Sequence, residues 1–259
     1  MERKETKIVL SDFPEVFHPL LEGCPVFDSS CSPQARVWYL PKDGGLYLKA
    51  APKSSLRREA EMTAFLYGKG MAPEVLSYQS GEKDWLLTRA VPGEDCTFGL
   101  YLEDPKKLSG LLGEELRLLH ELSTEGCPVT DHTTRYLKTA EENYRKSLFD
   151  PFYYPEGDIT AEKAWELVQE TVPLLQNEVI LHGDYCLPNV MLDDWKFSGF
   201  IDLDHGGIGD RHIDLYWGCW SLDFNLKTDR YRDRFLDAYG RDKINEELLA
   251  AVGAFEVFG

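Results

Sequence analysis

Residues 37–88 are built from short apolar runs broken by turn residues. Val37, Trp38, Tyr39 and Leu40 form a β-rich run, followed by the turn-forming stretch 41–45 and a second run from Leu46 to Ala50. This pattern predicts a hairpin. Strand alternation puts Leu46 and Leu48 on one face of the second strand, with Tyr47 and Lys49 on the other. Leu56, Ala60 and Ala64 then repeat every four positions, which predicts a helix over 55–67 stopped by Gly68 and Gly70. Two further strands are expected at 75–78 and 85–88, joined by a turn over 80–84. Residues 91–94 read as a linker.

Beyond that point the period changes from two to about 3.6. Leu108, Leu111, Leu112, Leu116 and Leu119 make one helical stripe. Ala161, Ala164, Trp165, Val168, Val172 and Leu175 make another, with Thr160 placed as its N-cap. Short β runs interrupt the helices at 179–181, 190–192 and 197–201. No internal repeat or low-complexity tract is present. The expected class is α+β in two lobes: a small antiparallel sheet with one helix over 1–87, a hinge over 88–93, and a larger, mainly helical lobe over 94–259. A ligand site between such lobes is the default expectation.

Composition narrows the function. The 259 residues are 43% hydrophobic, enough to bury a core, so a wholly disordered chain is excluded. The net charge is −17, which excludes nucleic-acid binding by bulk charge and disfavours anionic membranes. Residues 1–93 carry equal numbers of acidic and basic side chains, so the whole excess falls in residues 94–259. That asymmetry fits either a solvated acidic surface or a site for a polycation. No apolar run reaches the ~20 residues of a membrane span, and residues 1–5 do not lead into a signal-peptide core. The six cysteines include no C-x-x-C pair. A cytoplasmic location with reduced thiols is therefore expected.

The densest polar segment runs from His182 to Asp214. Asp184 and Asn189 are five apart, and Asp202 directly follows the strand predicted at 197–201. This is the spacing of a kinase catalytic loop followed by its metal-binding aspartate, with Gly183 where protein kinases carry arginine. A hydroxyl acceptor needs a carboxylate to orient it and take its proton, and magnesium prefers carboxylate and amide oxygens. Zinc is not expected, because His182 and His205 lack a paired cysteine or an i,i+4 histidine. His182 is read as a buried residue that bonds the loop, and Asp210 and Asp214, which open a helical stretch, as caps and loop anchors. In the first lobe, Lys49 on its strand and Glu59 on the next helix supply the phosphate-binding lysine and its partner. Glu61 is the rival partner, on a different helix face. Tyr47 is placed either to stack on a base or to pack under the sheet. Neither G-x-x-x-x-G-K-[ST] nor G-x-G-x-x-G occurs. A phosphate-covering loop would have to be residues 28–34.

The segments His182-Gly183-Asp184-Tyr185-Cys186-Leu187-Pro188-Asn189, Ser198-Gly199-Phe200-Ile201-Asp202 and Asp210-Arg211-His212-Ile213-Asp214-Leu215 together resemble the aminoglycoside 3'-phosphotransferases. Leu46-Tyr47-Leu48-Lys49 and Arg58-Glu59-Ala60-Glu61 match the same family's nucleotide lobe. The resemblance spans essentially the whole chain and implies the protein-kinase-like two-lobe fold. It also implies γ-phosphoryl transfer from ATP, or GTP in its place, to an aminoglycoside 3'-hydroxyl with Mg2+, inactivating the antibiotic. By resemblance Asp184 is the catalytic carboxylate, and Asn189 and Asp202 are the magnesium ligands. Lys49 holds the α- and β-phosphates and is held by Glu59. Tyr47 stacks on adenine, the backbone of Thr88, Arg89 and Ala90 meets its edge, and Ser30 or Ser32 touches the β-phosphate.

The sequence departs from that family on the acceptor side. Asp204 and His205 stand where Gly-Arg is usual. Asp150 is followed by Pro151, Phe152, Tyr153 and Tyr154 before Glu156 and Asp158, a thinned acidic loop. Glu256 is what remains of an acidic pair near residue 259. Asp150, Asp158, Asp223 and Glu256 are the candidate acceptor residues, and the partner is a cationic small molecule bound by a monomer or weak dimer. Two alternatives stay open: a kinase of this fold acting on choline, a sugar, homoserine or a macrolide, and a nucleotide-binding protein without turnover.

Overall fold

A computed structural model describes residues 3–154 and 157–259. The chain divides into two compact units, Met1–Asp95 with Met191–Asp204, and Cys96–Val190 with His205–Gly259.

The first unit is built on an antiparallel sheet in the order β1-β2-β3-β4-β6-β5. Its strands are β1 (Lys4–Glu5), β2 (Phe27–Asp28), β3 (Arg36–Leu40), β4 (Leu46–Pro52), β5 (Val75–Ser80) and β6 (Lys83–Arg89). The predicted hairpin forms in register, with Tyr39 opposite Tyr47 and Val37 opposite Lys49. Leu40, Leu46, Leu48, Ala50, Trp85 and Leu87 point to one face. There they pack under Phe13, Phe17, Leu21 and Val26 of the N-terminal segment, which includes α1 (His18–Leu21). By alternation Tyr39, Tyr47 and Lys49 belong to the other face. The predicted helix is α2 (Arg57–Tyr67); Leu56 and Ala60 pack it with Ala51 and Leu86.

Two expectations change here. The turn after β5 is shorter than 80–84, because Asp84 is a buried strand residue. Its carboxylate accepts from Ser80 Oγ at 2.6 Å, Tyr78 Oη at 2.9 Å and the Leu56 backbone at 3.0 Å, so a charge sits inside the sheet with its needs met. Likewise Glu94 is not linker. It belongs to β7 (Glu94–Asp95), which pairs with β9 (Val190–Asp193), and β9 lies beside β10 (Lys196–Phe200).

The second unit is mainly helical. Its elements are α3 (Gly99–Leu102), α4 (Pro105–His120), α5 (His132–Arg145), α6 (Ala161–Thr171), β8 (Val179–Leu181), β11 (Gly207–Gly209), α7 (Arg211–Leu226), α8 (Arg232–Tyr239) and α9 (Glu246–Glu256). Asp104 caps α4 by accepting from Lys107 N, with Pro105 at the first helical position. Leu108, Leu112, Leu116 and Leu119 of the α4 stripe are buried and Leu111 is half-buried, and Gly113 brings the helix so near α8 that a Cβ would lie 2.3 Å from the Phe235 carbonyl. Thr160 caps α6 as its sequence suggests, and the helix gives way at Pro173. Ala140, Ala164, Val168, Ala254, Phe255, Val257 and Phe258 form one buried cluster of this unit. Among the described residues no helix is long and apolar enough to cross a membrane.

Candidate active site

Strand β8 delivers the chain to His182, which is 0% exposed. The next residue, Gly183, has φ +85°, a conformation L side chains rarely adopt. Both residues donate their backbone N–H to the buried Asp214 carboxylate, at 2.8 and 2.7 Å. Burial alone would raise the Asp214 carboxyl, but its bonds from His120 and the loop backbone hold it below the usual range. His120 is itself kept in place by Tyr239, 2.9 Å from its Nδ1. Asp210 caps α7 by accepting from His212 N, as expected. Thus, of two residues read as caps and loop anchors, Asp210 caps and Asp214 anchors the turn before Asp184.

The turn is tied further along. Asp184 N donates to His182 Nδ1 at 3.3 Å, Tyr185 Oη donates to the Leu112 carbonyl at 2.8 Å, and Leu187 N donates to Ser221 Oγ at 2.9 Å. Asn189 closes the loop. Its Nδ2 donates to Asp184 Oδ2 at 2.8 Å and to the Asp184 carbonyl at 3.0 Å. The Asp184 carboxylate is half-buried and accepts from a neutral donor, the Asn189 amide.

In the first unit Lys49 Nζ donates to Glu59 Oε2 at 2.8 Å and to Asp202 Oδ1 at 2.9 Å. Burial opposes the ammonium charge, but the two carboxylates hold Lys49 well above its ordinary value. Burial pushes Glu59 up to about 7 against the pull of Lys49. Glu61 faces away and bonds Arg57 on the exposed side. Asp202 follows β10 with φ +60° and a side chain 46% exposed.

Tyr47 is half-buried, its ring 5.2 Å from that of Tyr39 and its hydroxyl accepting from Arg3 at 2.8 Å. Thr88 lies opposite Tyr47 in the sheet. The Arg89 and Ala90 N–H groups are already engaged, on the Glu74 and Gly45 carbonyls. These two N–H groups are therefore not free to donate to a further partner without giving up those bonds. In the loop 28–34, Ser30 N donates to Asp28 Oδ1 and Ser30 Oγ accepts from Val37 N, both at 2.9 Å. Ser32 is exposed.

Each unit offers an oxygen of the kind that suits magnesium. Asn189 uses its amide nitrogen on Asp184, and its Oδ1 is the kind of oxygen a hard dication takes. Asp202 offers a partly exposed carboxylate. Among the described residues no three His, Cys, Asp or Glu side chains gather as a metal cluster. A magnesium ion that draws most of its ligands from phosphate and water needs fewer protein oxygens than that.

The acceptor candidates fall into different surroundings. Asp150 is exposed and caps its own turn by accepting from Phe152 N, while its backbone N–H bonds the Val257 carbonyl. Asp158 is exposed. Glu156 lies outside the described residues. Asp223 is half-buried; burial and the nearby Asp229 raise it to about 6. Glu256 is buried, hydrogen-bonded by Tyr136 and Trp217, and within reach of the charge on Asp184. Burial raises it to about 8. His205 is exposed and Asp204 half-buried. Tyr136 and His120 were not foreseeable: each is remote in sequence from the carboxylate it bonds, with no local spacing to mark it.

Residues 31–252 match the family described as "Phosphotransferase enzyme family". A probable aminoglycoside 3'-phosphotransferase of Lactococcus lactis is 48% identical over 99% of this chain and 98% of its own. The crystal structure of an aminoglycoside 3'-phosphotransferase of type VIII superposes with TM-score 0.73 at 25% identity, covering 96% of each chain. An aminoglycoside phosphotransferase of Streptomyces rimosus, solved with ADP and streptomycin, superposes with TM-score 0.75 at 22% identity over 97% of this chain and 99% of that one.

Proposed function

Because this chain belongs to the phosphotransferase enzyme family, and within it to the aminoglycoside 3'-phosphotransferases, we propose that it transfers the γ-phosphoryl group of ATP to the 3'-hydroxyl of an aminoglycoside. The observation that carries the reading is the bond from Asn189 Nδ2 to the Asp184 carboxylate, 2.8 Å long and set in a loop pinned by Asp214.

In this reading Asp184 orients the acceptor hydroxyl with Oδ1 or Oδ2 and takes its proton as the O–P bond forms. Asn189 keeps that carboxylate from turning away. Positioning of this kind accounts for much of the rate in phosphoryl transfer, where the transferring group carries little covalent help from the protein. Lys49 holds the α- and β-phosphates, and Glu59 keeps its ammonium fixed. Tyr47 offers a ring to adenine, and Ser30 or Ser32 a hydroxyl to the β-phosphate. Asn189 and Asp202 are the proposed magnesium ligands; bound there, the ion would neutralise charge on the phosphate oxygens. Glu256, Asp223, Asp150 and Asp158 face the acceptor's ammonium groups, which a unit with this much negative charge attracts over a distance set by salt. The first unit is thus the nucleotide unit and the second the catalytic and acceptor unit, acting in the cytoplasm where ATP is supplied.

The test is ADP release by the purified protein with Mg-ATP, with and without kanamycin, and with a 3'-deoxy aminoglycoside as control. Turnover with kanamycin alone supports the reaction and its position. Turnover only with choline, a sugar, homoserine or a macrolide replaces the acceptor. ATP-dependent thermal stabilisation with no turnover leaves a nucleotide-binding protein.

A further inference from the structure

One side of α7 is aromatic. Trp217, Trp220 and Phe224 follow one another at helical spacing. Their rings meet, Trp217 with Trp220 at 5.5 Å, and Trp220 stacked on Phe224 at 5.1 Å. Phe152 and Tyr153, in the short 3-10 turn after Asp150, close against them. Phe152 lies 5.7 Å from Trp220, and Tyr153 lies 5.8 Å from Trp217 and 5.5 Å from Trp220. Tyr216 ties turn to helix by donating to the Tyr153 carbonyl. This wall is not core. Phe152 is 59% exposed and Phe224 46%, and the other three rings are half-buried.

Its position relates it to the acceptor. Trp217 hydrogen-bonds Glu256, which feels the charge of Asp184. Carboxylates border the wall: Asp150 precedes Phe152, and Asp223 adjoins Phe224 in sequence. Asp223 Oδ1 is buried and has no hydrogen-bond partner among the described residues, an acceptor in want of a donor. Exposed rings beside carboxylates suit a ligand with C–H faces and ammonium groups. A second copy of the same wall would set carboxylate against carboxylate.

We propose that Phe152, Tyr153, Trp217, Trp220 and Phe224 form an acceptor wall: an amino-sugar ring packs its C–H face on Phe152 and Trp220 and turns its ammonium groups toward Asp150, Asp223 and Glu256. The wall replaces, with aromatic surface, part of the charge that the sequence lacks around residues 151–154. It rests on the reading of Asp184 as the carboxylate that meets the acceptor.

Kanamycin binding by titration calorimetry and ADP-release kinetics test it in Trp220→Ala, Phe152→Ala and the conservative Trp220→Phe. Both alanine variants should raise the Kd and KM for kanamycin about tenfold, the scale of burying an apolar ring face against a ligand. Trp220→Phe should recover most of that loss, and the KM for ATP should stay within about twofold of wild type. An ATP-induced thermal shift of wild-type size checks that each variant is folded. Unchanged kanamycin affinity in both alanine variants overturns the wall, as does a wild-type dimer that they dissociate, which would make this face a contact between copies. If the wild-type protein binds no kanamycin, the functional reading itself has failed and the wall falls with it; binding to the wild type separates the two failures.

Discussion

Gly183 lies so close to His205 that a Cβ built on it would sit 2.0 Å from the His205 carbonyl oxygen. With φ at +85° as well, the position excludes side chains twice over. This explains why glycine stands where protein kinases carry arginine: here the residue before Asp184 is a backbone crossing. Gly183→Ala should introduce about 1–3 kcal/mol of strain, lowering Tm by about 2–4 °C for each kcal/mol in a chain of this size. Because Asp184 is the next residue, kcat should fall with it. A variant with wild-type Tm and kcat would show that the loop has room to spare.

Asp184→Asn keeps the size of the side chain and removes the carboxylate proposed to accept the proton. The expected result is a loss of about 10²–10⁴ in kcat, with ATP affinity within a few-fold of wild type, since the nucleotide contacts proposed for Lys49 lie in the other unit. Equilibrium ATP binding measured beside turnover decides the point. Loss of ATP binding in this variant would mean that the residue serves the nucleotide and not the hydroxyl.

Glu59 and Glu61 are two residues apart on α2, and only Glu59 reaches Lys49. Glu59→Gln leaves Lys49 with Asp202 as its one charged partner among those described. The KM for ATP should rise about tenfold, as for loss of a charged hydrogen bond, with the KM for the acceptor unchanged. Glu61→Gln should leave both constants alone, because its partner Arg57 is on the exposed side of the helix. Equal effects of the two substitutions would sink the assignment.

The legible parts of this protein are those settled by local rules. Strand alternation puts Tyr47 and Lys49 on one face, the helical period separates Glu59 from Glu61, and the five-residue step from Asp184 to Asn189 lies within one loop. An aspartate next to Gly-Glu-Lys has the composition of a turn, which hides the strand position of Asp84. Only the donors that converge on it, from Ser54, Leu56, Tyr78 and Ser80, explain its place in a strand. The backbone donors of Arg89 and Ala90 could not be judged without knowing which carbonyls face them. The acceptor side was the least legible. Glu256 meets Tyr136 across 120 positions, and the aromatic wall joins the turn at 151–153 to α7. No period in the sequence records contacts of that range.

Glu256 gives a pH dependence whose sign is fixed. Its carboxyl is buried between Tyr136 and Trp217, and burial raises it from 4.5 to about 8. The folded state therefore binds this proton more tightly than the unfolded one. The stability it contributes is complete below pH 4.5 and is lost as pH rises through about 8. Glu256→Gln mimics the protonated form at every pH. It should match wild type in Tm near pH 5 and exceed it at pH 9. Acceptor binding then runs the linkage in reverse, because an ammonium group placed beside Glu256 favours the carboxylate. At pH 7 wild-type Glu256 should release its proton as kanamycin binds. Titration in buffers of different ionisation enthalpy should show more proton release, or less uptake, for wild type than for Glu256→Gln. Identical proton counts in the two proteins would mean that the buried carboxyl supports the fold without meeting the acceptor's charge.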